Sequence, residues 1–371
     1  MIFKVDKTGT VEGFRSVFNE VAGMDGVQGI MILACDANGF TPENVDDELK
    51  TAVFPIFGGI FPELINGKEK LTKGTIVVGL NVALNIHVIS GLSDENADYE
   101  EMIDEAIPDL GEAQTMVIYV DGLSSRISSL VDGLFDVFGL EINYIGGGAG
   151  SLSFVQKPCL FTNQGLIQDS AVLALMELQC GIGVSHGWES VGSTFKVTEV
   201  ERNVIKSLDW KPAFEVYRQV VEEVSGQTFN DDNFFDIAKG YPFGINRAGS
   251  ERIVRDPIAL GDDGSVICVG ELPPDSYVDI LTGTTKGLIS AAETAMQRGQ
   301  DAFAGKTAVS ALFIDCISRV LFLEDEFPLE LEAVSASSLP FVGALKLGEI
   351  ANSGDDYLEF YNKTAVIAVF D

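Results

Sequence analysis

Histidine is almost missing from this chain: His87 and His186 are the only two in 371 residues. Any metal site would therefore have to be rich in carboxylate or thiolate. Cysteine is sparse as well. Cys35, Cys159, Cys180, Cys268 and Cys316 make an odd number with no C-x-x-C pair. Such a set is neither a disulfide framework nor a zinc ribbon. Basic residues are few: 24 Lys and Arg face 56 Asp and Glu, a formal net charge of -32. A field of that sign repels phosphate backbones and anionic lipid, which argues against nucleic acid and membrane surfaces as partners. Surfaces this acidic are also common in hosts with high internal salt. Long apolar runs are absent too. The longest, near 171–184, is interrupted by Glu177 and Gln179 and is too short and polar to span a bilayer. The opening Ile2-Phe3-Lys4-Val5-Asp6 lacks the charged and apolar regions of a signal peptide. A cytoplasmic protein is the expectation.

What is present is a repeat. Val117-Ile118-Tyr119-Val120-Asp121-Gly122-Leu123-Ser124-Ser125-Arg126 is echoed by Leu312-Phe313-Ile314-Asp315-Cys316-Ile317-Ser318-Arg319. Each is an apolar run closed by Asp, then Ser, then Arg. The flanks match in order: Val77-Val78-Gly79 with Cys268-Val269-Gly270, and Tyr144-Ile145-Gly146 with Phe341-Val342-Gly343. A duplication of this size predicts two similar α/β units with a shared site between them. The length exceeds a single typical core, and 46% hydrophobic content argues for packing rather than disorder.

The local patterns fill in the elements. Val11, Phe14, Phe18 and Val21 recur at helical spacing, as do Ile127, Leu130, Val131, Leu134 and Val137, with Ser124 in position to cap the second helix. Strands are expected at 30–34, 116–120, 142–145, 309–314, 341–345 and 364–370, and a hairpin-like pair at 75–89. The stretches 152–184 and 193–204 read as antiparallel strands absent from the repeat. Pro212 opens a helix at a position where a missing N–H costs nothing. Gly261-Asp262-Asp263-Gly264 reads as a hairpin turn.

Several stretches together resemble a known family. Gly181-Ile182-Gly183-Val184-Ser185-His186-Gly187-Trp188, Phe195-Lys196-Val197-Thr198, Leu208-Asp209 and Lys211-Pro212-Ala213 resemble the N-terminal half of FIST sensory proteins. Val254-Arg255-Asp256-Pro257, Gly270-Glu271-Leu272-Pro273, Cys316-Ile317-Ser318-Arg319, Pro340-Phe341-Val342-Gly343, Gly348-Glu349-Ile350 and Asn362-Lys363-Thr364 resemble the C-terminal half, in order. Ile317 stands where the family usually has Gly, and Lys363 where it more often has Gln. The resemblance implies an N-terminal domain over 1–210 and a C-terminal domain over 211–371. The expected fold is α/β with mixed sheets: two related halves carrying the internal duplication, with helices flanking mixed and antiparallel sheets. The implied function is a small-molecule sensor of signal transduction for an amino-acid-like ligand, bound in a pocket between the halves. Such a chain would signal through a partner, such as a histidine kinase. One branch of the family binds haem and senses nitric oxide.

The candidate ligand residues follow from this frame. Arg319 offers a bidentate donor for a carboxylate, or it is tied to a local carboxylate such as Asp315. Glu349 could hold an ammonium, or pair with Arg255 or Arg319. Cys316, Ser318, Arg255 and Asn362 complete the polar set, with Cys316 either a reactive thiol or a buried filler. Gly146, Gly147, Gly148 and Gly343 lie near the shared site. They read as backbone forced into turns that only Gly tolerates rather than as a phosphate cradle, because the P-loop Lys is missing. His186 is the candidate haem ligand, or else a satisfied core histidine. Gly183-Val184-Ser185-His186-Gly187 formally matches a nucleophile elbow, which leaves a Ser185 or Cys316 hydrolase as the alternative from another class. No catalytic residue is assigned.

Overall fold

The computed structural model describes residues 2–247, 251–303, 305–352 and 357–371. Its core repeats one arrangement three times. The first unit runs from strand Gly29–Cys35 through helix Pro42–Thr51 to the parallel strand Ile56–Phe61. The second runs from Thr115–Asp121 through helix Ile127–Phe138 to Asn143–Ala149. The third runs from Ser310–Cys316 through helices Ile317–Leu323 and Phe327–Ser335 to Phe341–Lys346. Each leading strand is buried along its whole length. Burial on both faces is why these segments are continuous apolar runs rather than alternating ones.

The three sheets have matching orders. The leading strands Gly29–Cys35, Thr115–Asp121 and Ser310–Cys316 each take an antiparallel neighbour on their other edge: Thr75–Leu80, Ser170–Met176 and Ala365–Phe370. Outside those lie Ile2–Asp6, Leu84–Ser90 and Cys180–Ser185. The hairpin that leaves each unit joins the sheet of another. Glu63–Asn66 pairs with Phe341–Lys346 of unit three, strand Leu160–Thr162 pairs with Ile56–Phe61 of unit one, and Glu349–Asn352 pairs with Asn143–Ala149 of unit two. The exchange is cyclic, so no unit completes its sheet alone.

A fourth, seven-stranded sheet is inserted between units two and three. It comprises Glu189–Glu201, Val204–Leu208, Lys211–Pro212, Phe243–Ile245, Ile253–Leu260, Val266–Val269 and Tyr277–Thr282, with helix Ala213–Ser225 packed on it. Among the described residues, no helix is long and apolar enough to cross a membrane.

The mixed α/β architecture is as expected, with four corrections of detail. The stretch 152–184 is not outside the repeat: Leu160–Thr162, Ser170–Met176 and Cys180–Ser185 take places in the three repeated sheets. The run 75–89 is not a hairpin: Thr75–Leu80 and Leu84–Ser90 belong to different sheets. The upstream flanks are not equivalent, because Gly79 lies in a six-stranded sheet and Gly270 follows a strand of the inserted one. Ser124 caps no helix; its hydroxyl donates to Asp169 Oδ1 at 2.8 Å, and Arg126 stands at the cap position.

The downstream flanks are equivalent, and the reason is steric. Gly146 crosses Ile118 so closely that a Cβ would stand 1.7 Å from its carbonyl oxygen. Gly343 has the same relation to Phe313, at 1.8 Å, and Gly58 of unit one to Ile32, at 1.9 Å. Aligned on these glycines, Asp121 corresponds to Cys316 and to Cys35, while Asp315 corresponds to Val120.

Candidate ligand site between the second and third units

A cavity of about 580 Å3 opens where units two and three meet the inserted sheet. Gly122 to Ser125 and Ile127 enter it from the turn after strand Thr115–Asp121. Ile258, Ala259 and Val269 enter from the inserted sheet, and Leu152 and Phe154 from the loop after Asn143–Ala149. Unit three contributes Cys316, Ser318, Lys346, Leu347 and Asn362. Cys316 and Lys346 end adjacent parallel strands as register partners. They stand at the carboxyl ends of those strands, where open α/β sheets present ligand groups.

The polar side of the cavity is a buried network. Ser318 Oγ donates to Asp256 Oδ2 at 2.6 Å, and Lys363 Nζ lies 3.2 Å from Asp256 Oδ1. Asn362 Nδ2 donates to the Tyr361 carbonyl at 2.9 Å, while its Oδ1 has no partner among the described residues. Lys346 is wholly buried and its Nζ has no hydrogen-bond partner among the described residues. The amine lies 4.0 Å from the Tyr119 ring centroid and 5.1 Å from that of Phe61. An aromatic face favours a desolvated ammonium by about 2 kcal/mol or somewhat more. Removing one from water costs several kcal/mol. Desolvation wins, so burial holds the Lys346 amine well below the usual lysine range. Burial likewise raises the Glu349 carboxyl well above the carboxylate range, and its Oε1 has no hydrogen-bond partner among the described residues.

The expected site residues divide. Cys316, Ser318 and Asn362 line the cavity. Arg319 does not: its donors are all engaged in the core. Nε and Nη2 donate to Glu330 at 3.2 and 2.9 Å, Nη1 to the carbonyls of His186 and Lys363, and Nη2 also to Leu288. Nε also lies 2.9 Å from Asp315 Oδ1. The local-carboxylate reading of Arg319 holds, and the ligand-contact reading is corrected.

Glu349 is withdrawn behind the cavity, where Oε2 accepts from the Thr364 N–H at 3.3 Å. It pairs with neither Arg319 nor Arg255. Arg255 is buried beside a second cavity of about 460 Å3, donating to the carbonyls of Glu271, Val254 and Phe360. Gly146, Gly147, Gly148 and Gly343 lie outside the lining. They are strand residues at close crossings, neither turns nor a cradle. A Cβ on Gly147 would meet the Gly348 carbonyl at 2.4 Å and Lys346 Cδ at 3.0 Å.

His186 does not fit haem. Its Nδ1 accepts from the Trp188 N–H at 2.9 Å, and the buried ring lines neither cavity. Burial pushes it down to about 4, so it is the neutral core histidine. The elbow geometry is missing as well: Ser185 ends a strand, and Trp188 leads into strand Glu189–Glu201 rather than a helix. Burial raises the Cys316 thiol well above its usual range, which makes it a poor nucleophile. Among the described residues, no cluster of three or more His, Cys, Asp and Glu could hold a metal ion.

Two residues were missed. Asp256 was visible only as part of a motif. Lys346 had a local signal: the wholly buried strand Phe341–Lys346 closes on a lone charge, as Thr115–Asp121 does.

No curated protein matches the chain. A crystal structure of a chorismatase matches over 100% of this chain and 98% of its own, at 9% identity and a TM-score of 0.36. A likeness that low carries nothing about this chain. The FIST N domain model matches residues 30–211 and the FIST C domain model matches 213–352. The two matches span most of the sequence, and the chain belongs to the FIST family.

Proposed function

We propose that the chain senses a small amino-acid-like metabolite in the 580 Å3 cavity and reports its presence to a partner protein. FIST domains are sensory domains of signal transduction. The observation that carries the finer reading is the make-up of the cavity. Its walls are largely apolar, with Leu123, Ile127, Ile258, Leu347 and Phe360 among them, and Asp256, Ser318 and Asn362 are among its few polar groups. Concave apolar sites with a few placed polar groups are the usual form of a small-molecule site. Asp256 replaces the withdrawn Glu349 as the group to meet an ammonium. Asn362, with its unpaired Oδ1, would orient the ligand head.

The cavity is lined from both halves of the chain, so occupancy favours whichever arrangement of the units closes on the ligand. Such differential affinity is what a signal requires. The reading assigns no turnover, and cytoplasmic signalling through a histidine kinase is its simplest setting. Thermal-shift and calorimetric titration with an amino-acid panel tests it. At least one amino acid should stabilise the protein, and Ala259→Trp, which fills the cavity from a half-buried wall, should abolish the shift. Stabilisation that survives Ala259→Trp would place the ligand elsewhere.

A further inference from the structure

The second cavity, of about 460 Å3, lies between helix Ile127–Phe138, the inserted sheet and strand Leu358–Tyr361. Three of the chain's nine arginines, Arg202, Arg247 and Arg255, line it. Two of these are paired with carboxylates: Arg202 with Glu95 at 3.1 Å and Arg247 with Glu359 at 2.6 Å. Arg255 is only 4% exposed, and among the described residues no carboxylate forms an ion pair with it.

The bonds that Arg255 does make form a staple. Nε donates to the Glu271 carbonyl at 2.7 Å, and Nη1 to the carbonyls of Val254 and Phe360 at 3.1 and 2.8 Å. Glu271 and Phe360 are themselves walls of this cavity. Nη2 has no partner among the described residues, yet it is not sealed from solvent. A guanidinium cannot shed its proton to escape burial. A buried charge without a counter-charge costs several kcal/mol, which neutral carbonyls offset only in part. The staple accounts for Nε and Nη1. It accounts for neither the charge nor the open Nη2.

The rest of the lining narrows what supplies the missing charge. Val131, Ile245, Ile253 and Leu272 are buried apolar walls, which fit an organic body rather than a bare inorganic ion. Asp132 and Glu271 line the cavity too, and neither forms an ion pair among the described residues. Both repel a second negative charge on the same ligand.

We propose that the second cavity binds a small monocarboxylic acid, with its carboxylate on Arg255 Nη2 and its apolar tail along Val131 and Ile253. The site is separate from the first cavity and does not rest on the sensor reading. Binding there is reversible, and no bond is made or broken.

Calorimetry and thermal shift on the full chain test this with butanoate at up to about 10 mM, since a ligand held only by the folded state stabilises it by mass action. Butanoate should bind, while phosphate and butylamine should not. Arg255→Met should weaken butanoate at least about ten-fold, as expected for a lost hydrogen bond to a charged group. Because Arg255→Met also removes the staple, Val200→Trp is the second variant. It fills the cavity from a half-buried wall, leaves the guanidinium in place, and should weaken butanoate as much. Ala259→Trp, which fills the first cavity, should leave butanoate binding unchanged.

A norvaline arm distinguishes a plain acid from an amino acid. Norvaline that binds where butanoate does not, and is lost in Val200→Trp, keeps the carboxylate on Arg255 and assigns the ammonium to Asp132 or Glu271. The proposal is overturned if neither acid binds, if binding is unchanged in Val200→Trp, or if phosphate binds as well as butanoate. An amino-acid shift lost in Ala259→Trp but kept in Val200→Trp sustains the sensor reading and sinks the second site. Butanoate binding with no shift in the first cavity does the reverse.

Discussion

Arg319 Nη2 donates to Glu330 Oε2 at 2.9 Å, with both side chains wholly out of water. Asp315 lies against the same guanidinium, and burial beside Glu330 raises its carboxyl well above the usual range. Glu330, with two hydrogen bonds to the guanidinium, is the more closely held partner. Removing one partner of a buried pair strands the other. Glu330→Ala should cost about 3–5 kcal/mol in urea unfolding. Arg319→Ala should lose near-UV circular dichroism along with any binding. A folded Arg319→Ala protein that merely fails to bind would restore Arg319 as a ligand contact.

The three close crossings predict three equal penalties. Gly58→Ala, Gly146→Ala and Gly343→Ala each drive a Cβ into a backbone carbonyl that cannot move aside. Each should lower stability by about 3 kcal/mol or more. Gly240→Ala, whose nearest neighbour would be 3.5 Å away, should stay within about 0.5 kcal/mol. Tolerance at Gly58 alone would show that the first unit is not built as the other two are.

Lys346 makes stability depend on pH in a definite direction. Its folded value is depressed, so the unfolded chain binds a proton that the folded chain lacks. Stability from this group therefore rises with pH up to about 10.4, by ~1.4 kcal/mol per unit. Lys346→Met removes the penalty, so the variant should be the more stable protein at neutral pH. Its advantage over the wild type should shrink by that slope as the pH is raised. Parallel pH profiles for the two proteins would mean that Lys346 stays charged in the fold.

The cysteines should be silent. All five are buried, and burial lifts Cys35 and Cys180 to about 12. Cys159, Cys268 and Cys316 are raised as well. Ellman's reagent at about pH 8 should find less than one fast thiol in the native protein and five after denaturation. A single fast thiol mapping to Cys316 would reopen the thiol-enzyme reading.

Much of this was legible in the chain because it depends on local composition. The apolar runs at 116–120 and 309–314 announced leading strands, since strands buried on both faces admit almost nothing else. The glycines Gly146 and Gly343 announced backbone that only Gly tolerates, but as turns, whereas they stand in strands at close crossings. The ordered motifs from Gly181 to Thr364 announced the family. Arg319 was the instructive failure. An Asp-x-x-x-Arg spacing fits both a free donor at a site and a core ion pair, and Glu330 decides between them from another helix. Nothing local to Arg319 records that contact.

The sequence by itself determined the strand cores, the mixed α/β class, the family and the identity of the cavity residues Cys316, Ser318 and Asn362. Side-chain chemistry and hydrophobic period are properties of neighbours along the chain. Only the tertiary structure decided that the arrangement occurs three times, that each hairpin completes another unit's sheet, and that Lys346 stands unpaired beside Tyr119. Those outcomes depend on which strands lie side by side and on what is left without water. Chain neighbours do not specify either, because the partners, Lys346 and Tyr119 or Arg319 and Leu288, come from distant parts of the sequence.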